Sequence, residues 1–199
     1  MWDQRYATEE YVYGTEPNAF LAEAVADLKP PGRVLCLAEG EGRNAVFLAQ
    51  RGFDVLAVDA SGVGLAKAEV LARQRGVRIA TEIADLDGYS IEPGAWDLIV
   101  SIFCHLPAAM RRRLHAQVAQ GLRPGGRLIL EAYTPAQLAF GTGGPPDATL
   151  MVTLPSLRTE LPGLRFEWAR ECERDVHEGR LHSGRGAVVQ LIASRPEGA

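Results

Sequence analysis

The stretch Val34-Leu35-Cys36-Leu37-Ala38-Glu39-Gly40-Glu41-Gly42-Arg43-Asn44-Ala45 decides how the rest of the chain is read. A short apolar run passes into glycines, and the glycines open a helix. Glycine lets the backbone turn tightly and lets a ligand approach without meeting a Cβ. Gly40-x-Gly42-x-x-Ala45 also fits the fingerprint of a dinucleotide-binding turn. Alone, the pattern is equally that of an ordinary strand-to-helix turn.

Working outward, residues 33–133 alternate between two periodicities. Strands are predicted at Arg33–Leu37, Asp54–Val58, Val77–Ile83, Trp96–Phe103 and Gly126–Tyr133 from short apolar, β-branched runs. Helices are predicted at Asn44–Gln50, Val63–Arg75 and Pro107–Gln120. Ser61 is the expected cap of the second, and Gly52 and Gly76 are stop signals. In the third, Met110, Leu114 and Val118 recur every four residues, with Pro107 in its first turn. Strand–helix alternation implies an α/β fold, a doubly wound and mostly parallel sheet with helices on both faces. Ligands of such sheets bind beyond the carboxyl ends of the strands. Residues 135–160, with Gly141-Thr142-Gly143-Gly144-Pro145-Pro146, read as an irregular loop. Residues 164–176 and 180–194 read as an antiparallel hairpin about His177-Glu178-Gly179.

Two acids strengthen the glycine turn. Asp59 ends the second strand, about 20 residues past Gly40, where an acid accepts hydrogen bonds from ribose hydroxyls. Asp85 follows the third strand and is placed to accept from an adenine amine. Together the three features describe an adenosine pocket without saying which adenosine cofactor fills it.

The motifs VLCLAEGEGRN at 34–44, AVDAS at 57–61, ADL at 84–86, WDLIVSIF at 96–103 and LRPGG at 122–126 resemble class I S-adenosylmethionine-dependent methyltransferases. WDQRY at 2–6, the GRN at 42–44 and the ending VHEGRLHSGRG at 176–186 resemble the small tellurite-resistance and thiopurine-methyltransferase-like branch. The resemblance spans about residues 2–195. It implies a Rossmann-like seven-stranded sheet with an antiparallel last strand, S-adenosylmethionine as cofactor and S-adenosylhomocysteine as product. It also implies roles: Ala38, Glu39, Gly40 and Asn44 along the methionine part, Asp59, Ala60 and Ser61 at the ribose, Asp85 and Leu86 at the adenine. Ser101, Ile102 and Phe103 would lie beneath the sulfonium. This chain departs where the family has an acid (Cys36), a glycine (Ala38) and often a cysteine (Glu39). Glu39 is expected to contact the cofactor ammonium or to fix Arg5.

Methyl transfer is an in-line displacement, in which the protein positions the reactants and excludes water. A general base is required only when the nucleophile must lose a proton. Trp2, Tyr6, Tyr11 and Tyr13 make the N-terminus aromatic, suited to cover a cofactor. Arg5 suits a cofactor carboxylate. His105, Tyr133, His182 and Arg185 are candidates for the acceptor side, with His177 and Arg180 completing a cationic rim for an oxyanion, and Glu131, ending the fifth strand, is expected to orient a basic neighbour. His115 reads as part of a solvated helix face.

The chain has 199 residues, net charge −4 and 47 % hydrophobic residues. The acidic balance argues against general nucleic-acid binding. No apolar run reaches the length of a membrane span and no secretory signal precedes the core, so a cytoplasmic location is expected. Cys36, Cys104 and Cys172 form neither a disulfide framework nor metal-ligand spacing. Lysine occurs only at Lys29 and Lys67, leaving 21 − 2 = 19 arginines; the bias is assigned to genome composition, and arginine number carries no argument. One domain, 1–199, is expected: a helical lid over 1–30, a cofactor core over 31–133, and an acceptor loop and closing hairpin over 134–199. The expected partner is a small-molecule methyl acceptor, with the chain a monomer or homodimer. A protein or RNA methyltransferase, a non-catalytic cofactor-binding module and a nicotinamide oxidoreductase are the alternatives.

Overall fold

The computed structural model describes residues 2–198. Seven strands form one sheet in the order β3-β2-β1-β4-β5-β7-β6. These are β1 (Arg33–Leu37), β2 (Asp54–Asp59), β3 (Ala80–Ile83), β4 (Trp96–Ile102), β5 (Leu122–Tyr133), β6 (Arg165–Glu178) and β7 (His182–Ser194). The first five run parallel; β7 lies antiparallel between β5 and β6. Helices α1 (Trp2–Tyr6), α2 (Ala19–Ala24), α3 (Arg43–Gln50), α4 (Gly62–Gln74), α5 (Ala108–Gly121) and α6 (Leu154–Glu160) complete the fold. The expected Rossmann-like sheet is present.

Alternation along the central strands divides the core into two layers. Leu35, Leu37, Ile99, Leu128 and Leu130 pack with Leu114, Val118 and Leu157 on one face. Val34, Cys36, Leu98, Val100 and Ile129 pack with Phe20, Leu21, Leu48 and Leu65 on the other. Because β1 and β4 are covered on both sides, their sequences are nearly continuous apolar runs.

Several expectations need correction. The strand predicted from Val77 begins at Ala80 and is an exposed edge strand, so little burial extends it. The fifth strand starts earlier, at Leu122. Pro107 caps α5 from just outside it. The segment 135–160 is not irregular throughout. It carries short 3-10 turns at Pro135–Ala139 and Ala148–Leu150, and α6 starts in a capping box between Thr153 and Ser156. The glycine–proline run at 141–146 masked that start signal. The hairpin turns two residues later than expected, at Gly179-Arg180-Leu181. His115 is buried: its Nδ1 lies 3.0 Å from Glu160, which also forms a two-pronged ion pair with Arg111. This lock joins α5 to α6 and holds the Glu160 carboxyl well below its ordinary range, at about 2, burial opposing and the two partners prevailing.

The N-terminal segment crosses the carboxyl edge of the sheet. Asp3 of α1 accepts hydrogen bonds from Ser61 Oγ (2.5 Å) and Val63 N at the start of α4. Lys67 Nζ donates to the carbonyls of Thr8 and Glu10. Glu41 accepts from Val12 N at 2.7 Å.

Candidate functional site

The glycine turn leaves β1 in left-handed backbone. Gly40 has φ 63° and Gly42 φ 90°. A Cβ on Gly42 would sit 2.4 Å from the Ala68 side chain, so this residue must be glycine for α3 and α4 to pack. A Cβ on Gly40 would meet the Tyr6 hydroxyl at 2.6 Å. Ala38, with φ 52°, takes the same conformation at a cost of about 1–2 kcal/mol.

Asp59 closes this turn from β2. Its carboxylate accepts from Gly40 N and Ser61 N, both at 2.8 Å, while burial pushes its pKa above the usual carboxylate value. Ser61 caps α4 through Gly64 N, as expected, and Ala60 between them is exposed. Glu39 curls over the start of α3 and accepts from Asn44 N (2.9 Å) and Ala45 N (2.8 Å). It does not pair with Arg5. Burial raises its pKa to about 7, against the pull of those two amides and Arg43. The Cys36 thiol, raised by burial, hydrogen-bonds the same carboxyl. The Glu39 carboxyl thus lies beside Cys36, three residues back in the chain.

Beneath the turn lies a buried network of which sequence reading found one member, Glu131, as an acid orienting a basic neighbour. Glu131, fully buried at the end of β5, accepts from Arg174 Nε and Nη2, Gln190 Nε2 and Asn18 Nδ2 at 2.6–2.7 Å. Glu178 accepts from Arg174, Asn18 and Arg43. Asn44 is engaged here too, its Oδ1 accepting from Asn18 N, so it pins the N-terminal segment. Arg43 Nη2 is satisfied by Glu178, but Arg43 Nη1 is buried without a partner. Arg43 stands inside the GRN of the glycine motif, and an arginine at the first turn of that helix was the available signal.

A second group of residues meets beyond β4 and β5. Phe103 leaves β4 with φ 52°, a strained conformation for a bulky residue and one common at functional sites. Its ring stacks on Tyr133 at 4.6 Å, and His105 stacks on Tyr133 at 5.6 Å. His182 stands edge-on to Phe103 at 4.7 Å and to Tyr133 at 5.4 Å, and Tyr13 lies 4.6 Å from His182. Gly143 and Gly144 press onto this cluster; a Cβ on Gly144 would sit 2.7 Å from the Tyr133 ring. Both nitrogens of His105, the Tyr133 hydroxyl and His182 Nδ1 are buried without partners. Burial holds His105 at about 4 and His182 at about 3, so both are neutral near pH 7.

The expected rim of cations is not assembled. Arg185 is exposed and donates to Glu173, and Arg180 and His177 are exposed. Arg5 is exposed, lies over the Trp2 ring and donates to the Tyr13 hydroxyl at 3.1 Å. Trp2 is exposed and stacks on Tyr6, which is buried. Asp85 is exposed in a depression it lines with Glu82, Ala84, Asp87 and Tyr89, whereas Leu86 belongs to the core. Ser101 and Ile102 are buried at the end of β4.

A glycine turn opening a helix, an acid ending β2 and an exposed acid after β3 lie together at the carboxyl ends of the strands, the edge where ligands of such sheets bind. The closed ring cluster lies at the ends of β4, β5 and the hairpin. Residues 34–126 match the family described as a methyltransferase domain. A 2-heptyl-1-hydroxyquinolin-4(1H)-one methyltransferase of Mycobacteroides abscessus is 24 % identical over 133 residues, 65 % of this chain and 59 % of that protein. The chain spans just over half the length of the curated relatives it matches. Among solved structures, one described by the conversion of a disulfide bond into a thioacetal group in echinomycin biosynthesis superposes with TM-score 0.78. Its identity is 20 %, covering 100 % of this chain and 91 % of that one. TehB of Haemophilus influenzae superposes with TM-score 0.73 and 18 % identity, covering 98 % of this chain and 65 % of that one. Among the described residues, no helix is long and apolar enough to cross a membrane.

Proposed function

We propose that this chain transfers a methyl group from S-adenosylmethionine to a small molecule enclosed by the ring cluster. The observation that carries the reading is the juxtaposition of two unlike sites at one sheet edge. One is a glycine turn backed by Asp59; the other is a closed aromatic cluster with unpartnered polar atoms. The residues present fit the cofactor. Asp59 stands where ribose hydroxyls would be received, and Asp85 where an adenine amine would be. The unpartnered Arg43 Nη1 supplies a charge-assisted donor for the amino-acid carboxylate, in place of the exposed Arg5. When bound, the cofactor supplies a methyl group on a positive sulfur. The chain's own part is to orient the acceptor, exclude water and place ring faces near that charge.

A small acceptor is favoured because Tyr13, Gly143 and Gly144 pack over the ring cluster. The first-named relative acts, by its name, on a small heterocyclic compound. The aromatic N-terminal segment serves as the lid, and the aromatic helix and the hairpin histidine support a place in the tellurite-resistance-like branch. A chalcogen oxyanion as acceptor loses support, since Arg180 and Arg185 face solvent.

Calorimetry with S-adenosylhomocysteine and NAD tests the cofactor assignment. Binding of the former alone is expected. Binding of NAD alone would overturn the reading.

A further inference from the structure

The ring cluster is unusual for what it leaves unpaired. Buried polar groups in proteins almost always find partners, and each one left without costs about 1–3 kcal/mol. Here four such atoms converge from three segments: two nitrogens of His105 after β4, the hydroxyl of Tyr133 at the end of β5, and Nδ1 of His182 at the start of β7. Tyr133 is 0 % exposed and His182 is 7 % exposed, and both nitrogens of the half-buried His105 are covered, so bulk water does not satisfy them. Nor do they satisfy one another, although their rings touch. The partner must come from outside the chain.

Its chemistry follows from the walls. Phe103, His105 and Tyr133 stack with interplanar angles of 16–39°, so the cluster presents flat faces. The two arginines of the neighbouring network are already ion-paired, Arg43 to Glu178 and Arg174 to Glu131, and the hairpin arginines point away. A neutral imidazole offers both an acceptor and a donor, and a phenolic hydroxyl offers both in return. A thiol would satisfy these nitrogens poorly, being a weak donor. An aromatic hydroxyl also explains why a base is present at all: its pKa near 10 keeps it protonated at neutral pH, whereas a thiolate or an oxyanion needs no base.

We propose that this pocket takes an uncharged aromatic hydroxyl compound, with His105 as the base that receives its proton and Tyr133 and His182 as its orienting partners. This rests on the methyl-transfer reading above. With His105 held at about 4 the hydroxyl is not ionised beforehand; His105 takes its proton as an oxygen lone pair forms the new O–C bond and makes that oxygen acidic, while the C–S pair returns to sulfur and the O–H pair stays on oxygen. The positive charge lost at sulfur reappears on the imidazolium, so the pocket's net charge is unchanged. Water then removes the proton.

The test uses 2-naphthol, catechol, 2-naphthalenethiol, selenite and pentafluorophenol, the last already ionised at neutral pH. Calorimetry on the protein loaded with S-adenosylhomocysteine should show 2-naphthol or catechol binding, weakened about tenfold by Tyr133→Phe. Methylation of 2-naphthol should exceed that of the thiol and selenite. His105→Asn should slow 2-naphthol by about 10²–10⁴-fold, yet slow pentafluorophenol by less than about threefold, with S-adenosylhomocysteine affinity kept as the control for folding. Preferred turnover of selenite or the thiol, or no binding of either hydroxyl compound, would overturn the proposal. So would equal slowing of both phenols by His105→Asn. Failure of S-adenosylhomocysteine to bind the unaltered protein is a separate result; it removes the methyl-transfer reading, and this proposal with it.

Discussion

The two halves of the site are built on opposite principles. The proposed cofactor half is largely saturated: Asp59, Glu39, Asn44 and Glu131 all hold hydrogen bonds within the chain, and Arg43 Nη1 is the donor left over. It is also charged, with Arg43, Arg174 and two glutamates underneath. The acceptor half is unsaturated and neutral, a set of rings whose polar atoms lack partners. A half that is saturated when empty is preorganised, so binding there spends little on ordering. A half that is unsaturated selects its ligand by what it lacks.

This contrast can be broken by mutation. The largest effect is expected at Asp59. Asp59→Ala strands Gly40 N and Ser61 N and opens the turn, and should lower S-adenosylhomocysteine affinity by about a hundredfold, corresponding to about 2.7 kcal/mol by calorimetry. Next comes Arg43→Gln. A lost charged hydrogen bond of about 1.5–3 kcal/mol should weaken S-adenosylhomocysteine more than tenfold. Methylthioadenosine, which lacks the amino-acid end, should bind unchanged. Equal losses for both ligands would reduce Arg43 to a partner of Glu178.

These expectations also mark what the sequence could show. The parallel strands were legible because β1, β2 and β4 are buried on both faces and read as unbroken apolar runs. The glycine turn and Asp59 were legible because one local segment and one fixed spacing carry them. Of the ion network only Glu131 was, as an acid at a strand end; Asn18, Arg43, Arg174 and Glu178 are scattered, and only the sheet order brings them to it. His115 misled for a related reason: among arginines on α5 it reads as solvated, until α6 delivers Glu160. On the acceptor side His105, Tyr133 and His182 were identified singly. Arg185 was grouped with them by sequence nearness, but residues alternate faces along a strand.

Glu39 sharpens the comparison through pH. Its pKa is raised on folding, from about 4.5 to about 7, so the native state binds a proton more tightly than the unfolded chain. Stability should therefore fall as pH rises from about 4.5 to 7, by up to about 3 kcal/mol, and level off above. Glu39→Gln should flatten that slope in urea titrations at several pH values. A stability that rises over this range in proportion to Glu39 would contradict the assignment.

Smaller effects are expected at the two strained or unpaired positions. Tyr133→Phe removes a hydroxyl that satisfies nothing, and should leave thermal stability unchanged or raise it. Loss of several degrees would mean that the hydroxyl has a partner within the fold. Ala38→Gly should gain up to about 1 kcal/mol by relieving its left-handed backbone, offset by the extra freedom of glycine when unfolded.

The most direct measurement is a crystal structure with S-adenosylhomocysteine. The account predicts the ribose at Asp59, the carboxylate on Arg43 Nη1, and the sulfur facing a closed pocket walled by Phe103, His105, Tyr133 and His182. A sulfur facing an open groove lined by Arg180 and Arg185, with the four rings packed away from it, would contradict the account.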